Sequence, residues 1–264
     1  MTLDEIFERA RREKRLAFVP YVMAGDPDLE TTEAILSALS AAGADVIELG
    51  VPYSDPLADG PTIAAAGQRA LGGATHLRGV LELASQCRER CAPIVLFTYY
   101  NPVYQFGVER FAREAAAAGI AGAIVPDVAL EESAELRAAL AARGLAMPLL
   151  VAPSTPHERA ARIAHAATGF VYVVSRLGVT GAGQAPDFAP LRRQLASLRD
   201  LTSKPLAVGF GMSRPQDVRD VGPLADAVVV GSALIDSYAG TRGQAAAARV
   251  RDFVAPLIAA LGAA

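Results

Sequence analysis

Along the chain, short apolar runs rich in β-branched residues alternate with longer stretches in which apolar positions recur every three or four residues. The short runs are 17–23, 45–49, 93–99, 122–125, 146–151, 169–174, 205–208 and 226–230, eight in all. Helical spacing fills the intervals 29–42, 76–90, 108–118, 131–143, 156–167, 187–198 and 214–221, with a last stretch after Ser237. Gly43, Gly119, Gly144 and Gly169 follow four of these stretches, where a helix stop is expected. Strand followed by helix, eight times over, predicts an α/β fold of the (β/α)8 TIM-barrel type. An amphipathic segment over 3–14 predicts an extra N-terminal helix plugging the barrel's N-terminal end. The rival is an open doubly wound sheet, which normally carries G-x-G-x-x-G after its first strand; here that turn reads MAGDPD.

No Ser/Gly/Pro-rich linker or charge block interrupts the 264 residues, so one barrel domain over 1–264 is expected, and 52% hydrophobic residues easily supply its core. The net charge of −3, with no sustained basic stripe, argues against a nucleic-acid surface. The arginines of 9–15 alternate with Glu13 on the first helix and read as a solvated face. Asp4, Glu5 and Glu8 stand where a secretory signal needs apolar residues, and no apolar run reaches roughly 18 residues, so a soluble, cytoplasmic protein is expected. Cys87 and Cys91 lie four apart without the further ligands of a zinc site and read as reduced thiols.

In a barrel, chemistry gathers where strands end at their C-terminal side. The second run carries Glu48 at its C-terminal end, flanked by the core-like Ile47 and Leu49, and the loop beyond it carries Asp55, Pro56, Asp59 and Gly60. Burying a carboxylate without partners is costly, which raises its pKa and suits it to proton transfer near neutral pH. A glutamate held in a structural network is the competing reading, and the stiff, polar loop favours chemistry. Glu48 and Asp59 are therefore the candidate catalytic pair. Tyr21, Tyr99, Asn101, Asp127, Tyr172 and Ser175 stand at other strand ends. After the seventh and eighth runs come Gly209-Phe210-Gly211 and Gly231-Ser232, small residues that let backbone N–H groups and helix N-termini approach a phosphate. Two tight turns that need glycine are the alternative. Gly178-Val179-Thr180-Gly181 reads as a third wall or a lid.

The chain has two lysines: Lys14 on the first helix, and Lys204 before the seventh run at the far end of the barrel. Schiff-base aldol chemistry thus lacks a candidate. His76, His157 and His165 fall on helices or their starts, without strand-end clustering, so a metal-dependent aldolase is poorly supported as well. Carboxylate proton transfer is the mechanism the sequence supplies.

Residues 48–63 (ELGVPYSDPLADGPTI), 99–102 (YYNP), 126–128 (PDV), 172–181 (YVVSRLGVTG), 209–212 (GFGM) and 231–233 (GSA) together resemble the tryptophan synthase α subunit, in order along nearly the whole chain. The resemblance implies a (β/α)8 barrel that cleaves indole-3-glycerol phosphate to indole and glyceraldehyde 3-phosphate, with the protonated indole ring as electron sink. It implies Glu48 as the acid/base at indole C3 and the side-chain hydroxyl, Asp59 as the acceptor of the indole N–H, and Tyr172 beside Glu48. Gly181, Gly211, Gly231 and Ser232 would cradle the phosphate. Tyr21, Phe97 and Ile124 would wall the indole pocket, with Thr180 on the closing loop.

Two positions depart from the family pattern: Tyr21 stands where Phe is common, and Val128-Ala129 where Leu-Pro is usual. The first adds a hydroxyl beside an apolar ligand, and the second removes proline's restraint from the loop after strand 4. The resemblance further implies a β-subunit partner that carries pyridoxal phosphate, in an αββα heterotetramer, with Asp55, Pro56 and Asn101 at the contact and no cofactor in this chain. A stand-alone indole-3-glycerol-phosphate lyase and a non-catalytic activator of the β subunit are the alternatives. Intact Glu48 and Asp59 argue against the second. The isomerase or synthase that precedes this step is a further rival, and the lysine shortage disfavours the synthase.

Overall fold

The computed structural model describes residues 2–175, 188–209 and 211–262. The chain opens with α1 (Leu3–Arg12), β1 (Ala17–Met23), α2 (Leu29–Ala42), β2 (Ile47–Gly50), α3 (Pro61–Gly72), α4 (Leu77–Cys87) and β3 (Ile94–Phe97). It continues through α5 (Tyr100–Phe106), α6 (Val108–Ala117), β4 (Gly122–Ile124), α7 (Ala134–Ala141), β5 (Leu149–Val151), α8 (His157–Ala166) and β6 (Val171–Val174). The last elements are α9 (Ala189–Leu201), β7 (Leu206–Gly209), α10 (Pro215–Val221), β8 (Ala227–Val230), α11 (Ser232–Tyr238) and α12 (Gly243–Ala259).

The eight strands pair in parallel in the order β4-β3-β2-β1-β8-β7-β6-β5. A bridge between Gly122 and Ala146 brings β4 against the approach to β5 and closes the ring. The predicted (β/α)8 barrel is the fold observed. Seven consecutive buried residues in β1 show why its run is apolar throughout: parallel strands are covered on both faces.

Three helices stand in βα connections where the periodicity predicts none. In α3 the buried residues are Ala66, Gly67 and Ala70, too small to mark an apolar face, and Pro61 at its first turn starts it. The other two, α5 and α11, have seven residues each, too few to show a period. Strand boundaries also contract, because the ladder covers only the middle of each apolar run: 93–99 pairs over Ile94–Phe97 and 146–151 over Leu149–Val151.

The N-terminal helix seals one end. Thr2 and Glu5 form a capping box, and Leu3, Ile6, Phe7 and Ala10 are buried, with the Phe7 ring 5.5 Å from that of Phe170 at the start of β6. Arg9 and Arg15 reach Asp45 below β2 at 2.8 and 2.6 Å, and Arg11 reaches Asp226 below β8 at 3.0 Å. Each large buried apolar side chain contributes roughly 1.5–3 kcal/mol and each part-exposed ion pair about 0–1 kcal/mol, so packing holds the plug and the charges set its orientation. Lys204 lies at this end too, donating to the carbonyls of Ala164, His165 and Ala167 at 2.9, 2.7 and 2.6 Å. The opposite rim is left for chemistry. Among the described residues no helix is long and apolar enough to cross a membrane.

Candidate active site

Glu48 stands on β2, paired across the ladder with Tyr21 of β1 and Val95 of β3. It is 1% exposed, and neither carboxylate oxygen has a hydrogen-bond partner among the described residues. A buried structural glutamate would be paired. Burial, with a further push from the charge of Asp59, raises Glu48 to about 8. At neutral pH it is an uncharged acid with a proton to give.

Asp59 lies two residues before α3, on the loop leaving β2, and is half-buried. The Tyr99 hydroxyl donates to its Oδ1 at 2.9 Å and accepts from the Ala58 amide at 3.0 Å. One side chain from the end of β3 thus pins the loop at two successive residues. Burial raises the pKa of Asp59, and the Tyr99 hydrogen bond works against that rise. Tyr99 stands among the predicted strand-end groups, but its work on Asp59 is illegible from sequence because the two lie forty residues apart.

An apolar wall adjoins the pair. The ring of Tyr21 meets that of Phe97 edge-on at 5.9 Å, Phe97 meets Tyr99 at 6.4 Å, and Ile124 is the ladder partner of Phe97. Tyr172 enters from β6, across the barrel, and is buried; burial first, then the charge of Glu48, pushes its hydroxyl well above the ordinary range. Burial, Asp59 and Glu48, in that order, do the same to Tyr21. These influences join Glu48, Asp59, Tyr21 and Tyr172 in one electrostatic neighbourhood. Two glycines make room for the tyrosines: a Cβ on Gly50 would overlap the Tyr21 hydroxyl, and one on Gly209 would overlap that of Tyr172. Gly209 is predicted as part of a phosphate turn, and the structure gives it this packing role as well.

Further along the rim, Gly211 follows β7 with φ +90°, a conformation that glycine adopts freely. Gly231 caps α11 without a side-chain cap, and Ser232 is the first residue of that helix. A carboxylate already sits at the start of α10: Asp217 accepts from the amides of Ser213 and Arg214, just before the helix, at 3.1 and 2.9 Å. Of the two helix starts predicted to face a phosphate, that of α11 is the one free of a carboxylate. Thr180, Gly181 and the rest of 178–181 lie outside the described residues, as does Phe210. Beside the site, Asp55 and Asn101 are exposed and Pro56 half-buried. Leu57 at 84% and Tyr104 at 63% are large apolar side chains turned outward nearby, on the same loop and on α5, a signal that sequence alone does not separate from core.

The family model described as tryptophan synthase alpha chain matches residues 7–258. This chain is 50% identical over 240 residues to the tryptophan synthase alpha chain of Prochlorococcus marinus (strain MIT 9313), covering 90% of this chain and 87% of that one. Against the alpha chain of Picosynechococcus sp. (strain ATCC 27264 / PCC 7002 / PR-6) it is 47% identical over 255 residues, with 96% of each covered. The chain belongs to the tryptophan synthase alpha chain family. Its fold is similar to a structure of Mycobacterium tuberculosis tryptophan synthase, with a TM-score of 0.91 at 36% identity and 98% and 97% of the two chains covered. It is also similar to the tryptophan synthase subunit alpha of Legionella pneumophila str. Paris, with a TM-score of 0.89 at 31% identity and 100% of both chains covered.

The match runs from α1 into α12, so it takes in the whole of the site-bearing rim. Both departures from the alpha-chain pattern have a structural setting. The added hydroxyl of Tyr21 fits because residue 50 has no side chain. The loop lacking Leu-Pro is tied down by other means: Asp127 accepts from the Tyr100 amide at 2.9 and 3.1 Å, and Glu131 pairs with Arg159 at 2.8 Å and Arg162 at 3.1 Å. These contacts tie the loop to α5 and α8.

Proposed function

We propose that this chain, a single barrel domain over 1–264, cleaves indole-3-glycerol phosphate to indole and D-glyceraldehyde 3-phosphate and delivers the indole to a pyridoxal-phosphate-dependent β subunit in an αββα heterotetramer. The observation that carries the chemistry is Glu48: buried, without a hydrogen-bond partner among the described residues, and raised to about 8. In this reading neutral Glu48 protonates indole C3, and the ring nitrogen takes up the positive charge. The Asp59 carboxylate accepts the N–H and stabilises that charge. The Glu48 carboxylate then removes the proton of the side-chain hydroxyl. As the C–C bond breaks, its electrons return to the ring, indole and the aldehyde separate, and Glu48 is again an acid. Tyr172 holds its hydroxyl near Glu48, while Tyr21, Phe97 and Ile124 enclose the ring. The chain needs no cofactor of its own for these steps, and we place the reaction in the cytoplasm.

Gly211, Gly231 and Ser232, with Gly181 and Thr180 beyond the described residues, are proposed to take the phosphate and close over it. The positive φ of Gly211 and the uncapped start of α11 support this. Gly211→Asp sets a carboxylate against the phosphate and is expected to raise KM by roughly 30–100-fold, about 2–3 kcal/mol of charge-assisted hydrogen bonding. Because φ at this position strains any L side chain, Gly211→Ala is the control and is expected to raise KM only a few-fold. Equal KM values for Gly211→Asp and wild type remove residue 211 from the phosphate site.

The partner reading rests on Asp55, Pro56 and Asn101 together with the outward Leu57 and Tyr104, apolar area beside the mouth of the site. Indole release from indole-3-glycerol phosphate is measured with and without the β subunit. Slow release alone and stimulation of about tenfold or more by the partner are expected, a coupling of the usual allosteric size. Fast release that ignores the β subunit marks a stand-alone lyase. Undetectable release under both conditions, with the β reaction still stimulated, marks a non-catalytic activator.

A further inference from the structure

At the sealed end of the barrel, away from the catalytic rim, two thiols lie one helical turn apart. Cys87 ends α4 and is fully buried; Cys91 lies in the bend leading to β3 and is half-buried. The Cys91 amide donates to the Cys87 carbonyl at 2.9 Å, which holds the pair in register. Residues so spaced have Cβ atoms roughly 5–6 Å apart, and a disulfide needs roughly 3.5–4.5 Å. Closing that gap takes a small shift of Cys91, which lies past the end of the helix.

The two thiols perturb each other, the pKa of Cys91 being lowered and that of Cys87 raised. Ser40 adds little, since its proton goes to the Leu36 carbonyl at 2.8 Å while its oxygen accepts from the Ala92 amide at 2.8 Å. Cys91 also lines a cavity of about 430 Å³ that opens beside Arg9, Ser37, Asp45, Glu89 and Arg90. Half-buried Cys91 thus borders this cavity, whereas Cys87 is fully buried behind it.

We propose that Cys91 and Cys87 form a hydroperoxide-reactive dithiol, in which Cys91 attacks the oxidant and Cys87 resolves the product. The Cys91 sulfur, as thiolate, attacks one peroxide oxygen; the O–O bond breaks, hydroxide leaves and takes up a proton, and Cys91 becomes a sulfenic acid. The Cys87 sulfur then attacks the Cys91 sulfur, the S–O bond breaks, and the departing hydroxide leaves as water with the Cys87 proton. Two thiols are oxidised to one disulfide while hydrogen peroxide is reduced to two waters. The reaction does not depend on the lyase reading, because it uses none of the rim residues.

The test treats the reduced full chain with hydrogen peroxide and maps its peptides without reductant. A mass loss of two hydrogens, a cross-link between 87 and 91, reversal by dithiothreitol, and peroxide consumption about two- to three-fold faster than by free cysteine at pH 7 are expected. In Cys87→Ala the Cys91 sulfenic acid is expected to persist and be captured by dimedone, whereas Cys91→Ala is expected to give neither cross-link nor capture. Thermal melts matching the wild type report that both variants are folded. Consumption no faster than by free cysteine, disulfides only between chains, or undiminished oxidation in Cys91→Ala overturns the proposal.

Discussion

Glu48→Gln is expected to lower the rate of indole release by about 10³-fold or more while the barrel stays folded. The substitution keeps the shape of the side chain and removes the proton that reaches indole C3; positioned acid–base groups contribute typically 10²–10⁴-fold. In the wild type the acid form is lost as pH rises through about 8, so activity is expected to fall above that value. The same raised pKa fixes a stability effect. The folded chain keeps the Glu48 proton up to about 8, whereas the unfolded chain releases it near the ordinary value of 4.5. The resulting stability is whole below 4.5, declines with rising pH across the interval, and is gone above about 8. A tenfold difference in proton affinity between the two states is worth about 1.4 kcal/mol, so on the order of 3–5 kcal/mol is involved. Glu48→Gln lacks this decline and is expected to melt at about 5–10 °C above wild type at about pH 9, with near-equal melting at about pH 4.5. Thermal melts across this range and steady-state rates check both halves. Wild-type turnover in the variant would remove Glu48 from the chemistry, and parallel stability curves would show that its proton is not held by burial.

How much of this was legible in the sequence differs by residue. Glu48 was, because a carboxylate near the end of an apolar run has no structural rationale unless partners exist, and the stiff loop beyond it carries further acids, Asp59 among them. The barrel was, because eight apolar runs separated by helical spacing leave few other closures. Tyr99 acts through a hydrogen bond to a residue forty positions earlier, a relation that only the ring of β2 and β3 creates. The same holds for Gly50, whose missing side chain is explained by a tyrosine on the neighbouring strand. The Asp217 contact was hidden for a different reason: Asp three residues into a helix reads as an ordinary first-turn acid, and only its two amide contacts show that it folds back over the residues leading into α10. The helices of the βα loops were hidden by their small residues or short length. What was lost between sequence and structure is therefore mostly side-chain partnership across strands, and that is where the control of Asp59 resides.

Asp59→Asn is expected to reduce kcat by about 10²–10³-fold with a much smaller change in KM. The amide oxygen still accepts the indole N–H, so ground-state binding persists, while the negative charge that stabilises the protonated ring is gone; removing one such electrostatic group from a water-excluded site costs typically that much. The variant carries an internal check. Asp59 is the second cause of the raised pKa of Glu48, after burial. Neutralising it lowers Glu48, so the residual activity is expected to fall off at lower pH than in the wild type, whereas a variant that merely disturbed the loop would keep the wild-type limb. Tyr99→Phe separates charge from position. It leaves the Asp59 carboxylate in place but removes the 2.9 Å hydrogen bond to Oδ1 and the acceptor of the Ala58 amide, so the loop loses its anchor. A fall of about tenfold or more in kcat is expected, since a hydrogen bond to a charged group contributes about 1.5–3 kcal/mol. Without the Tyr99 donor the Asp59 carboxyl rises further, so the acid limb of the pH profile is expected to move up. Full activity in Asp59→Asn would assign the ring charge to another group, and an unmoved acid limb in Tyr99→Phe would show that the tyrosine only packs.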